Sequence, residues 1–419
     1  ASTKKFVRPL LESYARKDSR IKVTFRKTNG HISVASNSAL KLATGEFVAF
    51  LDHDDELRPH SLLEVAKLIN RNPNAQLIYS DEDKVDEQGG RYDPYFKPDW
   101  NPELLLGQNY ISHLSVFKTS LVKELKGLRK GFEGAQDWDL ILRITEKLSK
   151  ESIIHIPEIL YHWRAIKGST ALENNQKNGI FKSTKNAVSS AMKRRRINCT
   201  VKLISKIVNY TKINYIINEP KPFVSIIIPT KDKSEILSNC IDSLFSSIEY
   251  FNYEIIIIDN NSKYKATNLY LKKLLKNKNV KLLKINGEFN YSRLNNIAVE
   301  HSIGEFILFL NNDVEALKKG WFEEILSNAL RDEIGAVGAK LSYENGSLQH
   351  GGVILGIGGV AGHYHKHVSS KSTGIKGHLL VSRNTSAVTA ACLMIKKSKF
   401  LEVGGFDEGG LKVAFNDVD

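Results

Sequence analysis

Apolar residues along the chain fall into short runs that drive into polar clusters, and two of these runs are versions of one another. Gly45-Glu46-Phe47-Val48-Ala49-Phe50-Leu51 ends in Asp52-His53-Asp54-Asp55, and Gly304-Glu305-Phe306-Ile307-Leu308-Phe309-Leu310 ends in Asn311-Asn312-Asp313. Each run is short for a helix and rich in β-formers, so each reads as a buried strand that surfaces at its C-terminal end. Ligands of open α/β sheets settle at such strand ends. In an extended segment residues two apart face the same way, which points Asp52 and Asp54 into one site. Two carboxylates there repel unless a cation joins them, and a hard divalent ion bridging to phosphate is the usual solution.

The likeness between the runs extends outward. From Asn37 to Asp54 the second copy follows at a constant offset of 259 residues, from Asn296 to Asp313. Strand-like stretches Ile21 to Phe25 and Val280 to Ile285 lead to Asn29-Gly30 and Asn286-Gly287, and Asn37 and Asn296 each precede a short helical piece. This period is far too long for a solenoid and indicates two related modules in tandem. The second copy opens with a buried strand, Pro222 to Thr230, then a helix over about 233–247. A second strand, Tyr253 to Ile258, ends in Asp259-Asn260-Asn261-Ser262. The first copy has no counterpart of these strands. Its opening helix, about 4–15, matches the helix after Ser262, so Ala1-Ser2 reads as the tail of a lost turn. At the other end Phe132-Glu133-Gly134-Ala135-Gln136-Asp137-Trp138-Asp139-Leu140 opens an amphipathic helix, and Asn416-Asp417-Val418-Asp419 is its counterpart. The chain therefore reads as a piece of a longer polypeptide. Residues 1–170 form a first module, 171–220 a linker with an amphipathic helix (173–196) and an alternating strand or hairpin (200–217), and 221–419 a second module. Glu219-Pro220-Lys221-Pro222 punctuates the boundary.

A length of 419 residues fits two to three domains. No apolar run reaches the length of a membrane helix and the first residues do not open a signal peptide, which predicts a cytoplasmic protein or one at the cytosolic face of the inner membrane. Cys199, Cys240 and Cys392 are odd in number and far apart, which argues for reduced thiols and against a disulfide framework or a structural zinc site. Sixty Lys and Arg against forty-six Asp and Glu leave a net charge of +14, suited to nucleic acid, anionic headgroups or a phosphate-bearing substrate. The one dense basic run, Lys193-Arg194-Arg195-Arg196, reads as a solvated helix end and not as a nucleic-acid site.

The ordered set of motifs resembles family-2 glycosyltransferases of the GT-A fold, specifically bacterial enzymes with two such modules that build O-antigen, capsule or rhamnose-rich polysaccharides. In copy one it comprises Leu51-Asp52-His53-Asp54-Asp55, Tyr79-Ser80-Asp81-Glu82-Asp83-Lys84, Phe96-Lys97-Pro98-Asp99-Trp100, Gln136-Asp137-Trp138-Asp139-Leu140 and Tyr161-His162-Trp163-Arg164. Copy two supplies Ser225 to Thr230, Asp259-Asn260-Asn261-Ser262, Leu310-Asn311-Asn312-Asp313 and Asn416-Asp417-Val418-Asp419. The resemblance implies an α/β fold of two modules, each a mixed, mostly parallel sheet flanked by helices. It implies transfer, with inversion, of a hexose or deoxyhexose from a UDP- or dTDP-sugar to a hydroxyl of a polysaccharide or lipid-linked acceptor, with magnesium or manganese. On its pattern Asp137 and Asp417 are the catalytic bases, Asp52, Asp54, Asp313 and His162 lie at the metal, and Thr230, Asp259, Asn260, Arg293, Asn296 and Asn37 lie beside the nucleotide. Asn311 stands where copy one has Asp52, which weakens the second metal site.

Plainer readings stand beside these. The acids at 52–55 also suit the end of a strand and the cap of a helix, and Asp137 and Asp417 suit helix N-termini, where the dipole favours acids. Asp81-Glu82-Asp83 reads as a solvated turn or as a contact with sugar or acceptor. His363, His365 and His367 alternate like ligands on a strand but lack partners in sequence, and suit an acceptor-side loop. A nucleotidyltransferase of related fold would also use paired acids and metal, but Thr230-Lys231-Asp232-Lys233 is not its glycine-rich loop. One module as a carbohydrate-binding or scaffold domain also remains open.

Overall fold

The computed structural model describes residues 2–165, 177–205 and 208–419. It divides into two units, Ala1–Ile213 with Ile375–Asn384, and Asn214–Gly374 with Thr385–Asp419. Among the described residues no helix is long and apolar enough to cross a membrane. Ala1 and residues 173–176, the expected start of the linker helix, lie outside the described residues.

The first unit runs α1 (Val7–Lys17), α2 (His31–Leu40), β1 (Phe47–Ala49), β2 (Glu56–Leu57), α3 (Ser61–Arg71), β3 (Leu77–Val85) and β4 (Arg91–Tyr95). It continues through α4 (Pro102–Gly107), β5 (Ser115–Lys118), α5 (Thr119–Glu124), α6 (Gln136–Thr145), β6 (Ile153–Arg164) and α7 (Lys177–Arg194). Its sheet has the order β1-β5-β3-β6-β2, with β4 on β3. The sheet is mixed but mainly antiparallel: among the described residues only β3 and β6 run parallel. Side chains alternate across β3. Leu77 and Tyr79 join Trp138, Leu140 and Ala187 on one face, and Ile78 joins Val116, Leu160 and Tyr161 on the other.

Ile21 to Phe25 forms no strand, contrary to the sequence expectation. Its counterpart in the second unit pairs only with a strand that has no equivalent in the first, and an extended segment without a partner has no ladder to join.

A hairpin of β7 (Cys199–Leu203) and β8 (Thr211–Tyr215) leads on. The second unit runs β9 (Val224–Thr230), α8 (Ser234–Ser247), β10 (Tyr253–Asp259), α9 (Lys265–Leu274), β11 (Val280–Lys284), α10 (Tyr291–His301), β12 (Phe306–Leu310), α11 (Trp321–Ala329) and β13 (Ala336–Gly338). Two small hairpins follow, β14 (Leu341–Ser342) with β15 (Leu348–His350) and β16 (Val353–Leu355) with β17 (Ala361–His363), then β18 (Cys392–Lys396) and α12 (Lys397–Glu402). Its sheet, β11-β10-β9-β12-β18-β13, is parallel over its first four strands. That is why β9, β10 and β12 are continuous apolar runs: both faces are covered, by Leu237, Ile241 and Phe322 on one side and Leu294, Ala298 and Phe400 on the other. Each fully buried Ile or Leu contributes about 1.5–3 kcal/mol.

Candidate active site

Beyond β1 the chain turns sharply, with the Asp55 N–H donating to the Asp52 carbonyl at 3.3 Å. A turn brings together residues three apart, whereas the extended segment expected from sequence would align residues two apart. The turn thus brings Asp55 to Asp52, and the charge of Asp54 also bears on Asp52. The third member of the cluster comes from another strand. β5 runs antiparallel to β1, and carrying the register past the Ala49–Val116 rung sets Asp52 opposite His113. Ligand atoms of Asp52, Asp55 and His113 lie within 4.8 Å of one another.

Tyr161-His162-Trp163-Arg164, at the end of β6, straps this turn. The Tyr161 hydroxyl donates to the Asp55 carboxylate, the Arg164 N–H donates to its other oxygen at 2.9 Å, and the Arg164 guanidinium donates to the Asp54 carbonyl at 2.7 Å. Tyr161 also stacks on the His113 ring at 4.6 Å. His162 alternates to the opposite face, where it meets Asp83 together with Arg91. His162, expected at the metal, lies with Asp83, and the histidine beside Asp52 and Asp55 is His113. No spacing in the sequence announces it, because only the β1–β5 register brings it there.

Asp81-Glu82-Asp83 is not a solvated turn. All three residues lie buried in β3, each with its own partner: the His155 ring at 2.8 Å from Asp81, Lys97 at 3.4 Å from Glu82, and Arg91 at 2.6 Å from Asp83. Burial pushes the Glu82 carboxyl up, but Lys97 and His113 outweigh it and hold the group at about 2. Burial pulls His113 down, and Glu82, with a smaller contribution from Asp137, outweighs that and raises it.

Asp137 sits in the first turn of α6, half-buried, and accepts a hydrogen bond from the Asn109 amide at 2.8 Å. Its charge bears on both Asp52 and His113. Asp52 keeps contact with solvent, yet the surrounding protein, and then Asp54 and Asp137, push its carboxyl above the ordinary range, while His113 pulls it down. Asp55 is likewise raised by burial. Asp139, two residues from Asp137, faces the interior, 2.9 Å from Arg143 and paired with Arg129.

In the second unit Thr230 and Asp259 are register partners at the C-terminal ends of β9 and β10. The Thr230 hydroxyl accepts from the Asn312 amide at 3.0 Å, and Asp259 accepts from the Ser262 N–H at 2.9 Å. Asn260 donates to the Ile285 carbonyl at 3.1 Å, and its own carbonyl oxygen is buried without a partner. Arg293 is exposed in the first turn of α10, and Asp313 is exposed beyond β12. Asp417 accepts from the Ala390 N–H at 3.0 Å, and Asn311 donates to the carbonyl of the next residue, Ala391, at 3.0 Å, so one dipeptide anchors both. The counterparts of Asp52, Asp55 and His113, by the repeat and by the β12–β18 register, are Asn311, Val314 and Ala391. The second unit does not build the cluster of the first.

Asn37 and Asn296, expected beside the nucleotide, lie within α2 and α10 and serve as brackets. The Asn37 amide donates to the Leu128 carbonyl at 2.7 Å and accepts from its N–H at 2.9 Å; Asn296 does the same with Phe406, at 2.8 and 3.0 Å. Each partner follows a glycine in the left-handed region, Gly127 and Gly405, whose missing Cβ leaves room for the amide. A paired Gly-apolar step after each copy is the signal that could have revealed this. The three alternating histidines do not converge: His363 faces His350 at 2.8 Å, His367 stacks on Tyr343 and His365 packs on Tyr364.

Residues 1–126 and 225–404 match the family model described as "Glycosyl transferase family 2". Over its whole length the chain is 43% identical to an uncharacterized protein of Sinorhizobium fredii, y4gI, covering 46% of it. It is 36% identical to O-antigen biosynthesis protein RfbC of Myxococcus xanthus, covering 32% of that protein. The chain thus spans less than half the length of these relatives. A solved mannosyltransferase of Pyrobaculum calidifontis, in complex with GDP-Man and Mn2+, superposes with a TM-score of 0.36 and 14% identity over 47% of this chain and 51% of that one.

Proposed function

This chain belongs to glycosyl transferase family 2, and on that premise we propose that it serves an inverting, cation-dependent transfer of a sugar from a nucleotide-diphosphate donor to a hydroxyl of a growing cell-surface polysaccharide. The observation that carries the reading is the convergence of Asp52, Asp55 and His113, with the charge of Asp137 bearing on the same place. Two carboxylate oxygens suit manganese or magnesium, the added imidazole nitrogen favours manganese of the two, and two acids pushed up by desolvation are what a cation would relieve. When bound, such an ion neutralises charge growing on the leaving diphosphate.

The residues divide the remaining work. Asp137, oriented by Asn109, takes the proton of the acceptor hydroxyl, which is a poor nucleophile at neutral pH. The acceptor oxygen then bonds to the anomeric carbon as the carbon–oxygen bond to the diphosphate breaks, and the electron pair leaves with the phosphate; attack from the opposite face inverts the centre. In the second unit Thr230, Asp259 and Asn260 stand at the strand ends where a nucleotide would lie; Arg293 would serve the nucleotide, Asp313 the diphosphate, and Asp417 would be the base. The relative named for O-antigen biosynthesis supports a polysaccharide acceptor, and the net charge of +14 suits a UDP- or dTDP-sugar and a lipid-diphosphate acceptor at the cytosolic membrane face. For the second unit a further reading, carbohydrate binding without transfer, is favoured by Asn311, Val314 and Ala391 in place of the cluster. The test is a panel of nucleotide sugars offered to the intact protein with and without Mn2+, scored by release of nucleoside diphosphate. Cation-dependent release that falls in Asp137→Asn or Asp417→Asn is expected. No release with any donor, or full activity in both variants, overturns the proposal.

A further inference from the structure

Two motifs without a role so far, Asp81-Glu82-Asp83 and Phe96-Lys97-Pro98-Asp99-Trp100, meet beneath the first unit's site. The Lys97 side chain is wholly buried, and its ammonium lies 3.4 Å from Glu82 while donating to the carbonyl of Ile111 at 2.8 Å and to that of His113. The same Glu82 oxygen accepts from the His113 N–H at 3.2 Å and lies 3.3 Å from its ring nitrogen Nδ1. Between the two held carbonyls sits Ser112, with a φ of 35°. A side-chain-bearing residue adopts that conformation only where its surroundings enforce it. This short segment also carries Asn109, whose amide holds Asp137 and whose oxygen accepts from the Ser112 N–H at 3.4 Å.

We infer that Lys97 and Glu82 are positioning residues: the buried pair pins the main chain on both sides of Ser112, so that Asn109 and His113 are presented to Asp137 and to the Asp52–Asp55 pair. A buried ion pair is a poor way to gain stability alone, since apolar residues of similar volume often do as well or better. Stability therefore does not account for an ammonium aimed at two carbonyls of one strained segment, whereas geometry at the site does. Outer partners of this kind typically change metal affinity about 10–100-fold when removed.

The inference rests on the reading of Asp52, Asp55 and His113 as a cation site, so the test has two independent arms. Amide hydrogen exchange is compared in the full chain, Lys97→Met, and Lys97→Met with Glu82→Gln; the double variant removes both members of the Lys97–Glu82 pair and serves if the single one fails to fold. Exchange over residues 108–114 should rise at least ~10-fold while β3 and α6 stay protected. Mn2+ affinity, followed by electron paramagnetic resonance, should weaken by about 10–100-fold. Unchanged exchange over 108–114, loosening spread evenly through the unit, or unchanged Mn2+ affinity overturns the inference. Failure of the unsubstituted chain to take up Mn2+ refutes the cation reading instead, and the exchange arm still decides whether Lys97 pins the segment.

Discussion

Asp137 and Asp139 are two residues apart in the first turn of α6, and the structure assigns them opposite duties that substitution can separate. Asp139 is fully buried between Arg143, at 2.9 Å, and Arg129. Asp139→Asn strips the charge and leaves the buried Arg143 guanidinium without its counter-ion, held by neutral acceptors such as the carbonyls of Leu125 and Gly127. Breaking one side of such a pair costs about 3–5 kcal/mol, and at about 2–4 °C per kcal/mol for a unit of this size the unfolding midpoint drops by roughly 6–20 °C. Asp137→Asn is isosteric and half-exposed and alters a single hydrogen bond from Asn109, so about 1 kcal/mol or less is at stake. In catalysis the order reverses. Losing the proton acceptor should slow transfer about 10²–10⁴-fold, whereas Asp139→Asn should keep its turnover per folded molecule below its own midpoint. Calorimetry paired with donor turnover of the intact protein reads both quantities. Equal midpoint shifts in the two variants, or undiminished turnover in Asp137→Asn, would refute the division.

Three further outcomes follow from the geometry. Asn37→Ala leaves both main-chain groups of Leu128 without the amide and should destabilise the first unit by about 2–4 kcal/mol in urea unfolding, with Asn37→Asp little better because it replaces only the acceptor. Burial raises the Glu254 carboxyl, but the Ile303 N–H, Lys281 and Ser225 outweigh it and leave the group below its ordinary range. A depressed folded-state value stabilises above the ordinary glutamate range and is lost as pH falls through the folded value. Glu254→Gln should therefore lower the melting midpoint at neutral pH, with the gap closing below pH ~4. Burial pushes the Cys240 and Cys392 thiols up to about 12, so iodoacetamide at pH ~8 should spare both until the protein unfolds and reach at most the half-buried Cys199.

Much of the second unit is legible in its sequence because parallel strands covered on both faces are continuous apolar runs; β9, β10 and α8 lie within a residue or two of where periodicity sets them. The strand ends at Leu51 and Leu310 are legible for the same reason. The partners of those strand ends are not. His113 reaches Asp52 through an antiparallel register, and register leaves no mark in residue spacing. Three acids in a row at 81–83 look solvated until β3 places each against its own partner, His155, Lys97 or Arg91. Ile21 to Phe25 has strand composition, but composition does not supply a neighbour. Asn37 and Asn296 repeat because both copies need the same bracket, a structural reason for likeness that a repeat alone does not separate from a functional one.

The most direct test of the central claim is a Mn2+ titration of the full chain, followed by electron paramagnetic resonance, with and without Asp52→Asn and Asp55→Asn together. The account predicts saturable binding by the unsubstituted chain that the double substitution in the first unit abolishes, because the second unit carries Asn311, Val314 and Ala391 at the corresponding positions. Binding that survives the double substitution unchanged, or no saturable binding at all, would contradict it.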